Sequence, residues 1–152
     1  MCICHSFHLC ASKAAEEMPA DLEFLVRKSR NWLANSPLKR IVYDSSYAAI
    51  NRGDMPKRLV QLVKTRWLAW APAIDVLVFQ WLELKTHFNM HAGSLRPSDK
   101  CTIGRKLNEL FNDDSTLLLL LFLKSITMEI AGVNKAFQAN SAEVSIIYEC
   151  GF

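Results

Sequence analysis

The stretch Thr65-Arg66-Trp67-Leu68-Ala69-Trp70 begins the longest amphipathic pattern in the chain and decides the predicted fold. Apolar side chains recur from there at steps of three and four residues, which keeps them on one face of a helix: Trp67, Leu68, Ile74, Leu77, Val78, Trp81, Leu82 and Phe88. This spacing predicts one long helix. Thr65 can cap it, and Pro72 indicates either a kink or a true start near Ala71. In both cases Arg66 and Trp67 lie at the N-terminal end, where the unpaired N–H groups of a helix attract anionic ligands.

The other segments carry the same helical periodicity, and none shows the alternation that is typical of a strand. Capping residues, prolines and glycines set the predicted bounds. The predicted helices cover Ile3–Glu17, a segment from Asp21 to Leu33, a segment capped by Ser36 that ends at Asn51-Arg52-Gly53, Cys101–Phe111, Thr116 to about Gln138 after a cap at Ser115, and a last segment capped by Ser141. The predicted fold class is therefore all-α, an irregular multi-helix bundle forming one domain over residues 1–152.

The composition favours one globular domain and does not by itself indicate a nucleic-acid-binding, secreted or membrane protein. Of the 152 residues, 51% are hydrophobic and 22% are charged, which suffices for one core. The net charge of +3 does not by itself indicate nucleic-acid binding, and five irregularly spaced cysteines favour a reducing compartment. The N-terminus lacks a secretory pattern, and the apolar run Leu117–Leu123 is far shorter than the roughly 20 residues that cross a bilayer. We therefore expect that run to be a buried core helix, with no membrane partner.

The N-terminal segment holds the densest group of metal-binding residue types, Cys2, Cys4, His5, His8 and Cys10. A closed zinc site needs four ligands, usually from two spaced pairs, and no second pair follows in the sequence. Packing is the favoured interpretation, and we expect no metal and no cofactor. The acidic residues fall on predicted solvent-facing surfaces or in helix breaks, so they predict no catalytic site: Asp21, Glu23, Asp44, Asp75, Glu83, Glu109, Asp113, Asp114, Glu129 and Glu143.

Basic residues are interspersed with aromatic residues in three parts of the chain. Pairing of Lys and Arg with phosphate, together with stacking of a base on an aromatic ring, is how many proteins bind single-stranded nucleic acid. We expect Trp32 and Trp81 to be core residues, whereas Trp67 and Trp70 are better candidates for a functional surface. The three groups are Arg27, Lys28, Arg30 and Trp32; Lys39, Arg40 and Tyr43; and Lys57, Arg58, Lys64, Arg66 and Trp67.

Two motifs resemble those of hAT (hobo, Activator, Tam3) transposases and their domesticated relatives. Cys2-Ile3-Cys4-His5-Ser6-Phe7-His8-Leu9 is similar to the C-x-x-H-x-(apolar)-x-L motif, with Cys2 and His5 at the named positions. Thr65-Arg66-Trp67-Leu68 resembles the R-W motif of the family, and parts of 74–88 resemble the helix that follows it. The resemblance implies that Trp67 stacks on DNA and that Cys2 and His5 belong to a motif close to an active site.

The resemblance also implies a fold and limits the expected activity. In the family, an RNase H-like catalytic domain with two aspartates and a glutamate is interrupted by an all-helical insertion that contains both motifs. The two aspartates would precede Met1 and the glutamate would follow Phe152. We therefore expect a piece of the insertion, with a C-x-x-H segment at 1–20 and insertion-like helices at 21–152.

We expect this piece to be a nuclear DNA-binding module without enzymatic activity. The alternatives are a helical protein-interaction module, which includes a homo-oligomer, and a non-functional fragment. The expected nucleic-acid contacts are Arg66, Trp67, Cys2, His5 and Lys64.

Overall fold

The computed structural model describes residues 9–10, 13, 17–62, 69–93 and 102–149, with side chains as far as residue 136. The complete helices in this part of the chain are α1 (Ala20–Ala34), α2 (Pro37–Ile50), α3 (Trp70–Phe79), α4 (Trp81–Ala92), α5 (Thr102–Asn112) and α6 (Asp114–Glu149). The described residues contain no strand, and the all-α prediction is confirmed. Most of the predicted helix Ile3–Glu17 lies outside the described residues, although Leu9, Cys10 and Lys13 are helical.

Helix α2 begins and ends where its sequence signals predict. The Ser36 hydroxyl oxygen accepts a hydrogen bond from the backbone N–H of Lys39, and Pro37 is the first helical residue, where a backbone N–H has no acceptor within the helix. At the other end, the N–H of Gly53 donates to the carbonyl of Ala48 at 2.8 Å, and Arg52 has a φ of 55°. This is a Schellman motif with arginine at the left-handed position that glycine usually takes.

The prediction of one long helix after Thr65 is wrong, because Gln80 separates α3 from α4. Gln80 is fully buried, with φ −111° and ψ 23°. Its amide nitrogen donates to the carbonyls of Lys57 at 3.0 Å and Val76 at 3.3 Å, and its amide oxygen accepts from the Tyr43 hydroxyl at 3.2 Å. These bonds satisfy the polar side chain inside the core, and the bond to Val76 also satisfies a carbonyl at the end of α3.

Helix α3 begins at Trp70, so the predicted start near Ala71 is confirmed to within one residue. Pro72 is the third helical residue, where the missing N–H removes no intrahelical hydrogen bond. The predicted cap Thr65 lies outside the described residues.

Asp113 is the single residue between α5 and α6, and it caps α6. Its carboxylate accepts from the N–H of Ser115 at 3.1 Å, from the N–H of Thr116 at 3.2 Å and from the Thr116 hydroxyl at 2.7 Å. The bond from the Thr116 hydroxyl, followed by that from the Ser115 N–H, lowers the pKa of Asp113. The predicted cap at Ser115 is thus corrected by two residues. Helix α6 also continues through Ser141 to Glu149, so the predicted break before a last helix is wrong.

The core lies where α1, α2, α4 and α5 meet, and α3 joins it while packing on α6. Trp32 is central, with its ring so close to α5 that a Cβ added at Gly104 would lie 2.8 Å from the Cη2 atom. Trp32 and Trp81 are buried as predicted. We expected Trp70 on a functional surface, but it is only 8% exposed. Its side chain and that of Ile74 lie on the same buried face of α3.

Helix α6 is not buried all round, contrary to the prediction. Among the side chains described as far as residue 136, one stripe is buried against the rest of the fold, with Leu120, Thr127 and Asn134 at its centre. The stretch Asp114–Ala136 is long and apolar enough to cross a membrane by length and composition, and 11% of its apolar window is buried. This stretch extends beyond the apolar run Leu117–Leu123 at both ends. A single helix of this length and composition is weak evidence of a membrane span.

Candidate nucleic-acid interface

The residues predicted to contact nucleic acid, Cys2, His5, Lys64, Arg66 and Trp67, lie outside the described residues. Their roles therefore stay predictions. The structure does describe basic residues from all three groups that the sequence singles out, and it brings four of them together.

These four residues line a cavity of about 180 Å³, here called the basic cleft, between α1, α2 and the segment 54–62. They are Arg30 on α1, Arg40 on α2, and Lys57 and Arg58 on the segment that follows α2. The other described lining residues are Leu33, Ala34, Pro37, Tyr43 and Leu59. Sites for whole small molecules and cofactors usually begin at about 300 Å³, so the basic cleft suits a smaller group such as a phosphate with part of its sugar.

Three cations of the basic cleft remain without a carboxylate partner among the described residues. Arg30 donates only to the amide oxygen of Asn31 at 3.2 Å, and neither Lys57 nor Arg58 makes an ion pair in that part of the chain. Arg40 holds both carboxylate oxygens of Asp44 through its Nε atom, at 2.8 and 2.9 Å. With this one carboxylate counted, the four cations give the basic cleft three net positive charges.

The N-terminus of α2 and an aromatic ring add to this environment. Pro37, the first residue of α2, lines the basic cleft, so the partial positive charge of that helix end lies beside the four cations. The Lys57 ammonium lies 4.1 Å from the centre of the Phe79 ring. A cation on a ring face keeps its full charge, so Lys57 still contributes to the potential of the basic cleft.

Gln80 links two walls of the basic cleft to each other. Its hydrogen bonds to the Lys57 carbonyl and to the Tyr43 hydroxyl join the segment 54–62 to α2. Burial, and then the charge of Glu83, raises the pKa of Tyr43 far above its ordinary value, so the hydroxyl remains a donor. The Tyr43 ring is buried and is not available to stack on a base. The described part of the basic cleft therefore provides charge and hydrogen-bond donors for a phosphate, with no exposed ring from Tyr43.

Other basic residues of the three groups lie outside the basic cleft. Arg27 pairs with Glu23 at 2.6 Å, and the Lys39 ammonium lies 3.2 Å above the Trp32 ring.

The sequence did not single out Gln80 as a buried residue or as a helix break. The only local signal was a polar residue between the apolar Phe79 and Trp81, which also occurs at solvent-facing positions.

A second polar cluster lies within the core around His87. The Trp32 indole N–H donates to the Nε2 atom of His87 at 3.3 Å, and the ring centres of His87 and His91 are 5.2 Å apart. Burial, followed by the charges of His91 and Lys39, lowers the pKa of His87 to about 4. His87 is therefore a neutral acceptor at physiological pH.

Glu83 corrects the prediction that the acidic residues lie on solvent-facing surfaces or in helix breaks. It is buried, and its carboxylate accepts a hydrogen bond from the Asn51 side chain at 2.9 Å, which joins α4 to the end of α2. Within the described ranges, no group of three His, Cys, Asp or Glu side chains is placed to hold a metal ion. Cys2, Cys4, His5 and His8 lie outside those ranges.

Comparisons with protein-family models, with curated proteins and with solved structures find no match to this chain. The resemblance to hAT transposases therefore rests on the sequence motifs alone. Of the residues that carry it, Arg66, Trp67, Cys2 and His5 lie outside the described part of the chain.

Proposed function

We propose that this chain is a helical nucleic-acid-binding module that holds a DNA phosphate in the basic cleft. The observation that carries the proposal is the convergence of Arg30, Arg40, Lys57 and Arg58 on one small cavity from three separate parts of the chain. Like charges at such close quarters repel one another. An anionic ligand removes that repulsion, and phosphate is the anion that arginine contacts with two parallel hydrogen bonds.

The basic cleft and the predicted pair Arg66 and Trp67 would both contact the DNA. Arg30 and Arg58 would contact one phosphate, while Trp67 would stack on a base and Arg66 would contact a further phosphate. Arg58 supports this division, because it is close in sequence to Lys64, Arg66 and Trp67. Phosphate contacts bind any sequence, so the module would recognise DNA by charge and by unpaired bases more than by base sequence.

On the strength of the two motifs, we also propose that the chain derives from the insertion domain of hAT transposases and acts in the nucleus. The proposal includes no enzymatic activity, no cofactor and no membrane partner. The alternative function, a protein-interaction module, has separate support in the exposed face of α6.

Fluorescence anisotropy with labelled single-stranded and hairpin DNA tests the proposed function. We expect Arg30→Gln and Arg58→Gln each to weaken binding by roughly ten-fold or more, since a hydrogen bond to a charged group contributes about 1.5 to 3 kcal/mol. Arg105→Gln is the matched control, because it removes the same charge from an exposed position on α5 that does not line the basic cleft.

The control should keep the wild-type affinity to within about two-fold at physiological salt, where exposed charges far from the ligand are screened. Equal losses in all three variants would show that net charge alone attracts DNA. A wild-type chain that binds neither DNA would also refute the proposal.

A further inference from the structure

Several large apolar side chains lie on the solvent-exposed face of α6. Leu118 is 67% exposed and Phe122 is 63% exposed. Lone exposed apolar residues are ordinary, but a contiguous patch along one helix marks an interaction surface. Among the described side chains of this helix, which extend to residue 136, the large apolar ones that are exposed are Leu118, Leu121, Phe122, Ile126, Met128 and Val133.

The spacing on this face is that of a helix that pairs with another helix. Leu118, Leu121, Ser125, Met128 and Gly132 follow one another at alternating steps of three and four residues, the a and d positions of a heptad repeat. We call these five residues the heptad seam. Ser125 and Gly132 are small, and a Cβ added at Gly132 would meet nothing within 4 Å. A second helix can therefore approach closely at these positions.

Charges at the two ends of the face indicate which helix fits it. Asp114 and Lys135 are both exposed and are separated by 21 residues, about 31 Å along the helix. A parallel, in-register copy would place like charges together, whereas an antiparallel copy places each beside its opposite. The midpoint of the antiparallel pair falls near Ser125, so Leu118 of each copy lies close to Gly132 of the other. The two end charges of this face are thus complementary to those of a second copy about a two-fold axis.

A lipid bilayer fits this helix less well. The Lys124 ammonium, in the middle of the apolar stretch, lies 2.8 Å from a carboxylate oxygen of Asp75 on α3. A span would carry that ion pair into the hydrocarbon, together with Glu129, which is exposed. Helix α3 also packs against α6 and would have to leave it or enter the membrane with it.

We propose that α6 pairs antiparallel with α6 of a second copy of this chain through the heptad seam. Pairing would cover the apolar face without displacing α3, because the buried stripe around Leu120, Thr127 and Asn134 faces the rest of the fold. The contact uses one helix from each copy, so we expect a reversible dimer of moderate affinity.

Sedimentation at about 100 µM protein, well above a micromolar Kd, tests the pairing. The wild-type chain is expected at twice the 17.3 kDa mass of one chain. Leu118→Glu should raise the Kd of the dimer at least ten-fold. Leu38→Glu on α2 is the matched control, because both leucines are 67% exposed, and it should leave the dimer intact. Phe122→Arg gives a second disruption of the same face, and circular dichroism checks that each variant keeps its helices.

Charge exchange tests the antiparallel order. Lys135→Glu should weaken the dimer, and adding Asp114→Lys to the same chain should restore it. An unchanged Kd in Lys135→Glu would refute the antiparallel order, since a parallel pair meets like charges before and after the change. A wild-type monomer at the highest concentration would overturn the proposal. The proposal would also be overturned if the monomer bound to phosphatidylcholine vesicles in a flotation assay and Leu118→Glu abolished that binding, because the face would then bind lipid.

Discussion

Acidification is expected to destabilise this protein well before its carboxylates are neutralised, because His87 must take up a proton inside the core. Its side chain is 2% exposed and accepts a hydrogen bond from the Trp32 indole. Burial, and then the charges of His91 and Lys39, lowers its pKa from 6.5 to about 4. A protonated ring would lose the Trp32 bond and would be a cation in a desolvated site, beside the aromatic rings of Tyr43 and Phe88.

The sign and size of this effect follow from the two pKa values. Between pH 6.5 and about 4 the unfolded chain binds a proton at this residue and the folded chain does not, so the free energy of unfolding falls as the pH falls. At about 1.4 kcal/mol for each pH unit, the loss amounts to about 3 kcal/mol. Above pH 6.5 both states carry a neutral ring, and this contribution is constant and fully present.

Urea denaturation followed by circular dichroism between pH 7 and about pH 4.5 measures the loss directly. His87→Gln keeps a side-chain acceptor within reach of the Trp32 N–H but cannot titrate, so most of the pH dependence should disappear. His91→Gln is the control, and it should retain most of the wild-type slope. Equal slopes in the wild-type chain and in His87→Gln would refute the assignment of this acid sensitivity to His87.

Three further predictions concern the fold and the R-W pair. Gly104→Ala should cost about 1 to 3 kcal/mol in thermal denaturation, because its Cβ would lie 2.8 Å from the buried Trp32 ring; a stabilised variant would contradict that packing. Arg52→Gly should stabilise the chain by up to about 1 kcal/mol, since it relieves a left-handed φ of 55°, and a clear loss in the same assay would contradict the strain. Trp67→Ala should weaken hairpin or single-stranded DNA binding by roughly ten-fold to a hundred-fold without unfolding the chain, and Arg66→Ala should reduce the salt slope by about one unit. If Trp67 is instead a core residue, Trp67→Ala should lower the stability by about 3 to 5 kcal/mol.

The helix ends of α2 were predictable because their signals are local. Ser36 and Pro37 at the start and Asn51-Arg52-Gly53 at the end act through hydrogen bonds within a few residues, and they do so in the structure. The break at Gln80 was not predictable in this way. Its partners Tyr43 and Lys57 are 37 and 23 residues away in the chain, so no local pattern contains them.

Burial on α6 shows a different limit of sequence reasoning. The leucine run predicts an apolar helix correctly, but hydrophobicity does not distinguish a core face from a face that awaits a partner. Leu120 and Leu118 are the same residue type, and one is buried while the other is 67% exposed. The residue types of the basic cleft were likewise visible in the sequence. The convergence of Arg30 with Arg58 depends on how α1 and the segment 54–62 meet around α2.

Backbone amide chemical shifts during titration with a short single-stranded DNA give the most direct test that the basic cleft binds a phosphate. Among the described residues, the largest changes should occur at Arg30, Ala34, Arg58 and Leu59, which line the cavity, and they should saturate together. The chemical shift of the Arg105 amide on α5 should not change. Largest changes on α5 or α6, with the amides of Arg30 and Arg58 unaffected at saturation, would contradict binding in the basic cleft.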